Sequence, residues 1–516
     1  MRIQNSLKNM LFGISGQIIS AVMGFIVRTV FIATLGIEYL GVNGLFTNIL
    51  TLLSVANLGF DTAVIYSLYK PLAEGDQRKI QAFMNLYAKA YRIIGLIILL
   101  LGLSLLPFLP YLMNGETAIP HIQVIYILFL LNSVSSYFFL YKQSIIIADQ
   151  HYHIISKIYS IYTILFNLVQ IIILISIVNY ILVLFAQIAF TVLKNIYISH
   201  KANQMYPYLK EKNKVKLSAE ERKSFFKNLY SLMLYKISGV VINGTDSIVI
   251  SMFIGIVWVG IYSNYYLIIA TLNTFVGYIF YSITASVGNL HVKENEEKKY
   301  FMFRIIRFSN FWVYGFCSVC LWSLINPTIT LWLGEQYVMN KFIIFAMLLD
   351  FYSAGMQNAS TTFRDTTGLF QKGTYRPVYA AVINIVVSIA LAQTIGMAGV
   401  FLGTVISRLC TYFWYDPYVI FKYVFQKPLM NHFIRYIQFG LIVFVAAALS
   451  DMIGNMVQVN PYMDLVVRGI VCLFIPNALF FILFRKFEEF EYLLSIVRSF
   501  VHRLPFKRLE KKAGHL

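Results

Sequence analysis

Gly13, Gln17, Ser20, Gly24 and Arg28 follow one another at steps of three or four, which puts them on one face of a helix. Further on, Lys236, Gly239, Asn243 and Asp246 make a second such stripe. Asp350, Ser353, Gln357, Thr361 and Arg364 make a third, and Asn132, Ser135 and Lys142 a fourth. Asn57 and Asp61 add a pair four apart. The chemistry these stripes could do is set by their cations, Arg28, Lys142, Lys236 and Arg364. A guanidinium fork matches phosphate oxygens two at a time, and an ammonium adds point charge. A cavity lined by these faces suits an anionic substrate, with pyrophosphate an obvious candidate. Gln17, Asn243 and Gln357 would supply neutral hydrogen bonds. Asp61, Asp246 and Asp350 are either ion-pair partners or protonatable coupling sites; an ion pair needs only an adjacent cation and is the simpler role. A plainer role also exists for Arg28, Lys142 and Arg364. Each lies towards one end of its stretch and could snorkel to the interface.

The elements that must hold these residues are set by composition. Of 516 residues, 59% are hydrophobic and only 13% charged, about half the usual charged share. So little polar surface excludes a set of soluble domains and excludes intrinsic disorder. Long apolar runs recur from end to end, each about the length of a bilayer span. They lack the strict alternation of a transmembrane barrel. The fold class is an all-α polytopic membrane protein of about fourteen helices. The helices are expected near 9–35, 40–66, 88–113, 121–147, 154–178, 180–199, 228–253, 257–286, 309–333, 342–369, 376–395, 397–423, 433–454 and 463–485. A net charge of +19 could suggest nucleic acid in a soluble protein. Here the Lys and Arg fall in alternate loops, which is topology rather than nucleic-acid binding. That alternation puts both termini in the cytoplasm. Lys341 and Arg468 are the notable strays. The basic tail after Phe487 is amphipathic and suits the inner leaflet.

The chain also repeats itself. "LGIEYLGVN" at 35–43 matches "IGIVWVGIY" at 254–262, pairing Gly36 with Gly255, Ile37 with Ile256 and Gly41 with Gly260. At the same offset Gln17 maps to Lys236 and Gly24 to Asn243. "YKPLAEGDQRK" then falls on "GNLHVKENEEK", and "YKQS" at 141–144 falls on "FRDT" at 363–366 at nearly the same offset. The expected organisation is a six-helix lobe at 1–200, a cytoplasmic linker at 201–227, and a second six-helix lobe at 228–424. Two additional helices at 425–487 and a basic tail at 488–516 follow. Six helices per repeat gives both lobes the same orientation, with a site between them the default for such a transporter.

Other chemistry finds little support. Cys317 and Cys320 form a CxxC inside an apolar helix, where thiols pack as small hydrophobes. His151 and His153 have no accompanying Cys or acidic cluster for a metal. No phosphate-cradling GxxxxGK[ST] loop or catalytic triad spacing is present. No cofactor, metal or enzymatic activity is expected.

Three stretches resemble the Wzx-type polysaccharide repeat-unit flippases of the multidrug/oligosaccharidyl-lipid/polysaccharide exporter superfamily, in their Gram-positive form. They are "LGVNGLFTNILTLLSVANLGFDTAVIYSLYKPLAEGDQRKI" at 40–80, "YKQSIIIADQ" at 141–150, and "TFRDTTGLFQKGTYRPVYAAVINIVVSIAL" at 362–391 with "GVFLGTVISRLCTYFWYDPYVIFK" at 399–422. The resemblance implies twelve core helices plus two, and alternating access. It implies an undecaprenyl-pyrophosphate-linked oligosaccharide as substrate, moved from inner to outer leaflet for capsule or exopolysaccharide synthesis. Cationic lumen residues of such flippases would fall on Arg28 and, less directly, Arg364. The partners implied are the lipid-linked oligosaccharide and membrane lipid, acting on a monomeric transport unit. A coupling proton or sodium ion and a polysaccharide polymerase partner are left open by these motifs. The alternative is a cation-coupled multidrug antiporter of the same superfamily. It would have an acidic, aromatic cavity, against which the cationic stripes argue.

Overall fold

The computed structural model describes residues 2–54, 60–115, 119–211, 217–293, 295–369, 372–373, 375–456 and 460–503. Side chains at 2–15, 61, 234–238, 243 and 281–293, among others, lie outside that description. Among the described residues the regular elements are all helices. Eleven are long and apolar enough to cross a membrane, and two shorter apolar helices span Ile37–Leu53 and Gly239–Phe253. A helix at Lys341–Thr366 has the length but falls outside that set.

The chain divides into two compact units, residues 1–266 with 377–400, and residues 267–376 with 401–516. These boundaries cut the chain differently from the repeat boundaries. The first unit holds α1 (Arg2–Leu35), α2 (Ile37–Leu53), α3 (Phe60–Glu74), α4 (Gln77–Ser104) and the single turn α5 (Leu109–Leu112). It continues with α6 (Ile122–Ala148), α7 (Tyr152–Ser176), α8 (Tyr180–Met205), α9 (Ala219–Phe253) and the start of α10 (Ile256–Lys293). The second unit holds the rest of α10, then α11 (Glu296–Leu333) and α12 (Lys341–Thr366). Most of α13 (Arg376–Ile395) and the start of α14 (Met397–Cys410) return to the first unit. The remainder of α14, α15 (Tyr412–Ile420), α16 (Met430–Asn455), α17 (Pro461–Phe484) and α18 (Glu488–Arg503) complete the second.

Several helices begin earlier than hydropathy suggests, because caps rather than apolar residues start them. Asp76 accepts from the Lys79 backbone N–H and starts α4. Ser218 and Glu221 form a reciprocal capping box that starts α9, which satisfies two donors otherwise left open at a helix start. The expected linker at 201–227 is thereby largely taken into α8 and α9. The expected helix at 40–66 is two helices, α2 and α3. The one at 397–423 breaks at Thr411 between α14 and α15 and ends in a π turn at Phe421–Phe425. Pro417 contributes to that irregularity, since it offers no N–H to the carbonyl four residues back.

The internal repeat is visible in the backbone. Gly36 separates α1 from α2 at φ 88°, and Gly255 separates α9 from α10 at φ 122°. Both angles lie where a side chain is disfavoured. Asp76 starts α4 by accepting from Lys79 N–H, and Asn295 starts α11 by accepting from Lys298 N–H. Both members of each pair are at the repeat offset. Gly41 and Gly260 go further and meet each other's helix. A Cβ on Gly41 would lie 2.1 Å from the Ile256 carbonyl oxygen, and one on Gly260 would lie 2.4 Å from that of Ile37. Ile37 and Ile256 are themselves repeat equivalents, so the contact is reciprocal. Within the first unit, repeat packs on repeat about a pseudo-two-fold crossing that only glycine permits.

The second unit is built around α11, which packs on α12, α16 and α17. Its core is aromatic. Phe311 stacks on Phe439 with centroids 4.2 Å apart, and Phe303 packs edge-on to Phe363 and Phe421.

Candidate substrate-binding site

Arg28 lies seven residues before the end of α1 and is half-buried. Its Nη1 donates to Ser263 Oγ at 2.6 Å and to Asn264 Oδ1 at 3.4 Å, both on α10. These acceptors are themselves oriented. The Ser263 hydroxyl donates to the Gly260 carbonyl at 2.7 Å, and Asn264 Nδ2 donates to the same oxygen at 3.3 Å. Their remaining lone pairs are thus left for Arg28. Among the described residues no carboxylate lies within ion-pair distance of Arg28, and its Nε and Nη2 have no protein partner. The guanidinium is tethered by one nitrogen through neutral groups and presents its other edge unoccupied.

Neutral polar groups continue nearby in the sequence of the same unit. Asn48 on α2 donates to Ser247 Oγ on α9 at 2.8 Å. Ser247 is the repeat equivalent of Arg28, so the second repeat places a hydroxyl where the first has a guanidinium. Thr245 lies 3.2 Å from Asn384 Oδ1 on α13, and Asn384 and Asp246 are buried. Lys142 is half-buried and donates to Asn203 Oδ1 at 3.1 Å. Lys194 on α8 sits 4.1 Å from the Tyr159 ring centroid, a cation–π contact. Among the described residues neither lysine has a carboxylate partner. Gln17 is exposed on α1. The side chains of Lys236, Asn243 and Asp61 lie outside the described residues.

The second unit treats its charges differently. Arg364 is 1% exposed. Its Nη1 donates to both Asp416 oxygens at 2.9 and 3.0 Å, and its Nε and Nη2 donate to Asp365 at 2.9 and 2.7 Å. Arg376 also reaches Asp416 and lies over the Tyr412 ring at 4.4 Å. Arg364 is among the residues expected to contact substrate, and in this arrangement every edge of its guanidinium is taken by protein carboxylate. Asp350 accepts from Arg408 Nε at 2.8 Å, and Gln357 is half-buried on α12.

Reading the stripes missed Ser263, Asn264, Asn48 and Ser247, whose neutral side chains give no charge signal. It also missed Lys194, which stands alone rather than in a stripe. Asp416 was legible as an acid in the apolar run "FWYDPYV". Among the described residues no three His, Cys, Asp or Glu side chains converge as a metal site.

A many-spanned helical bundle with a guanidinium in a spanning helix that no carboxylate neutralises among the described residues fits a membrane transporter or flippase. The chain belongs to the polysaccharide biosynthesis protein family, whose model matches residues 6–287. No curated protein matches the sequence. Among solved structures, it is similar to the lipid II flippase MurJ in an inward closed conformation (TM-score 0.65, 15% identity, 92% of this chain and 99% of that one). It is also similar to an inward-facing multidrug resistance MATE family transporter of the MOP superfamily (TM-score 0.59, 13% identity, 77% and 93%). A mutant of the Vibrio cholerae MATE transporter VcmN gives TM-score 0.58 at 13% identity over 83% and 99%. At these identities the likeness shows the fold, a polytopic membrane bundle of the MurJ and MATE type.

Proposed function

We propose that the protein is a flippase for undecaprenyl-pyrophosphate-linked oligosaccharide repeat units. It carries them from the inner to the outer leaflet by alternating access, for capsule or exopolysaccharide synthesis. Both termini lie in the cytoplasm. The family membership supports the glycan pathway. The observation that carries the anionic headgroup is Arg28, a guanidinium in a membrane helix with an open Nε–Nη2 edge and no carboxylate partner among the described residues. A charge at that depth costs several kcal/mol unless a partner or cavity receives it. The open edge has the geometry for two phosphate oxygens. Ser263 and Asn264 hold the fork in place so that it need not reorganise on binding. Lys142 and Lys194 offer further point charge, with no carboxylate partner among the described residues. A drug antiporter would need the opposite polarity.

The test is genetic and chemical. In a deletion strain the lipid-linked repeat unit accumulates on the cytoplasmic side and the intact gene restores export. Arg28→Ala abolishes export while the protein stays inserted and abundant. Arg28→Lys keeps the charge but loses the fork, and export falls about tenfold or more, the worth of one charge-assisted hydrogen bond of about 1.5 kcal/mol or above. Normal export with both variants would remove Arg28 from the site. A deletion that leaves lipid-linked intermediates unchanged but alters sensitivity to cationic drugs would favour the antiporter.

A further inference from the structure

Lys341 and Arg468 break the charge pattern of the loops, and the structure places both on the wall of one cavity. The cavity has a volume of about 140 Å³ and is lined by Trp322, Asn326, Lys341, Asp451, Asn455 and Arg468. It lies in the second unit, where the C-terminal part of α11, the start of α12, the end of α16 and the start of α17 meet. Lys341 Nζ pairs with Asp451 at 2.7 Å and lies 5.5 Å from the Trp322 ring centroid. Arg468 reaches Asp451 at 3.6 Å, Asp464 at 2.8 Å and Asn455 Oδ1 at 2.7 Å. Two cations and two carboxylates cancel. Pro327 also lines the cavity and has no N–H for the carbonyl four residues back, that of Ser323, another lining residue. A cleft of about 620 Å³ adjoins it, sharing Asn326 and Pro327 and adding Asp464 and Asn460.

We propose that this cavity binds an uncharged sugar ring. An indole offers an apolar plate for the face of a ring. Carboxylates accept from hydroxyls, while amides, guanidinium and ammonium donate to them. A ring of hydroxyls can use donors and acceptors together. Asp451 in the wall and Asp464, which pairs with Arg468 from the adjoining cleft, cancel the two basic groups, so neither an anion nor a cation finds net charge and a neutral polyol is the class that fits. The volume is below the roughly 300–1,000 Å³ of drug-sized sites, which limits the cavity to about one ring, with neighbouring sugars in the adjoining cleft. In the proposed orientation this end of the bundle faces outside, where a translocated glycan emerges. That biological source rests on the flippase reading; the binding chemistry does not.

The experiment is saturation-transfer NMR on the full chain in nanodiscs, with glucose, galactose and N-acetylglucosamine as probes and glucuronate as the anionic control. At least one neutral probe receives saturation on its ring protons, and glucuronate does not. Trp322→Ala and Asp451→Asn each reduce the signal about fivefold, the scale of a lost aromatic contact. Trp322→Phe keeps most of it, which guards against a variant that merely misfolds. Arg28→Ala leaves it intact, so failure of export and failure of sugar binding are read separately. No transfer to any neutral probe, equal transfer to glucuronate, or signal unchanged in both Trp322→Ala and Asp451→Asn would overturn the proposal and leave the cluster as a clamp between helices.

Discussion

Lys142 in the first repeat and Arg364 in the second occupy equivalent positions, yet their charges meet opposite fates. Lys142 touches a neutral amide, whereas Arg364 is enclosed by Asp365 and Asp416. The same contrast holds between the units. In the first, Arg28, Lys142 and Lys194 have no carboxylate among the described residues. In the second, Arg364, Arg376, Arg408, Arg468, Lys341 and Arg304 are all neutralised by acids. Arg307 departs from this, buried against His432 at 3.4 Å and over the Phe303 ring, and Arg435, Lys372, Lys422 and Lys427 nearer the surface rest on amide or aromatic groups instead. A cation in a membrane protein is either cancelled inside the fold or kept for something that arrives. Lys70 and Lys79 of the first unit are paired with Glu74 and Glu221, but Arg28, Lys142 and Lys194 are kept, whereas the second unit uses those six neutralised cations as struts.

The largest effect should come from removing the acid that serves two struts. Asp416 is 1% exposed and holds Arg364 and Arg376 together. Asp416→Asn leaves two buried guanidinium groups undercompensated, which costs about 3–5 kcal/mol. Thermal unfolding of the purified protein should show it as a large loss of stability and yield. Arg28→Gln should cost far less by the same assay, since it strands no carboxylate. Comparable losses from both would erase the distinction between the two units.

The next effect tests the repeat itself. Gly41→Ala and Gly260→Ala each drive a methyl into a backbone carbonyl of the other repeat. Overpacking of that kind costs about 1–3 kcal/mol, and a carbonyl cannot swing away as a side chain can. The two variants should lose similar thermal stability because the contact is reciprocal. A loss confined to one of them would show that the crossing is not a pseudo-two-fold.

How much of this was legible follows the same division. Span positions were readable because apolar length is a property of the local sequence. The repeat was readable because Gly36, Gly41, Gly255 and Gly260 answer a backbone need that no other residue meets well. The cation stripes were readable as charges, but not which of them the fold would cancel. That depends on Asp416, which is remote in sequence from Arg364 and reaches it only through the packing of α15 on α12. Ser263 and Asn264 were illegible for a related reason. A serine and an asparagine on a membrane helix look like ordinary packing until a guanidinium is seen to rest on them. Starts of helices were misjudged where Asp76, Ser218 and Asn295 cap polar extensions that hydropathy cannot register.

The smallest effect lies at the rim of the second unit, where α18 is held against α11. Glu489 is 7% exposed and accepts from Arg304 Nε at 2.7 Å, while Glu488 accepts from Nη2 at 3.1 Å. Phe490 stacks on Trp312 beside them. Burial is the largest single influence and would raise the Glu489 carboxyl, but the hydrogen bonds from Arg304 and from its own backbone N–H and the charges of Arg304 and Arg307 together outweigh it and hold the group below the usual carboxylate range. A carboxyl depressed in the folded state stabilises at pH values above its unfolded value of about 4.3. That contribution fades as pH falls from there through the folded value, below which both states are protonated. Hydrogen exchange across 488–503 should therefore rise on acidification below pH about 4, with α16 and α17 unchanged. Glu489→Gln should give the faster exchange already at neutral pH. If α18 stays equally protected in both cases, the aromatic stack rather than the ion pair secures it, and the rule that the second unit builds with neutralised charge stops at the bundle's edge.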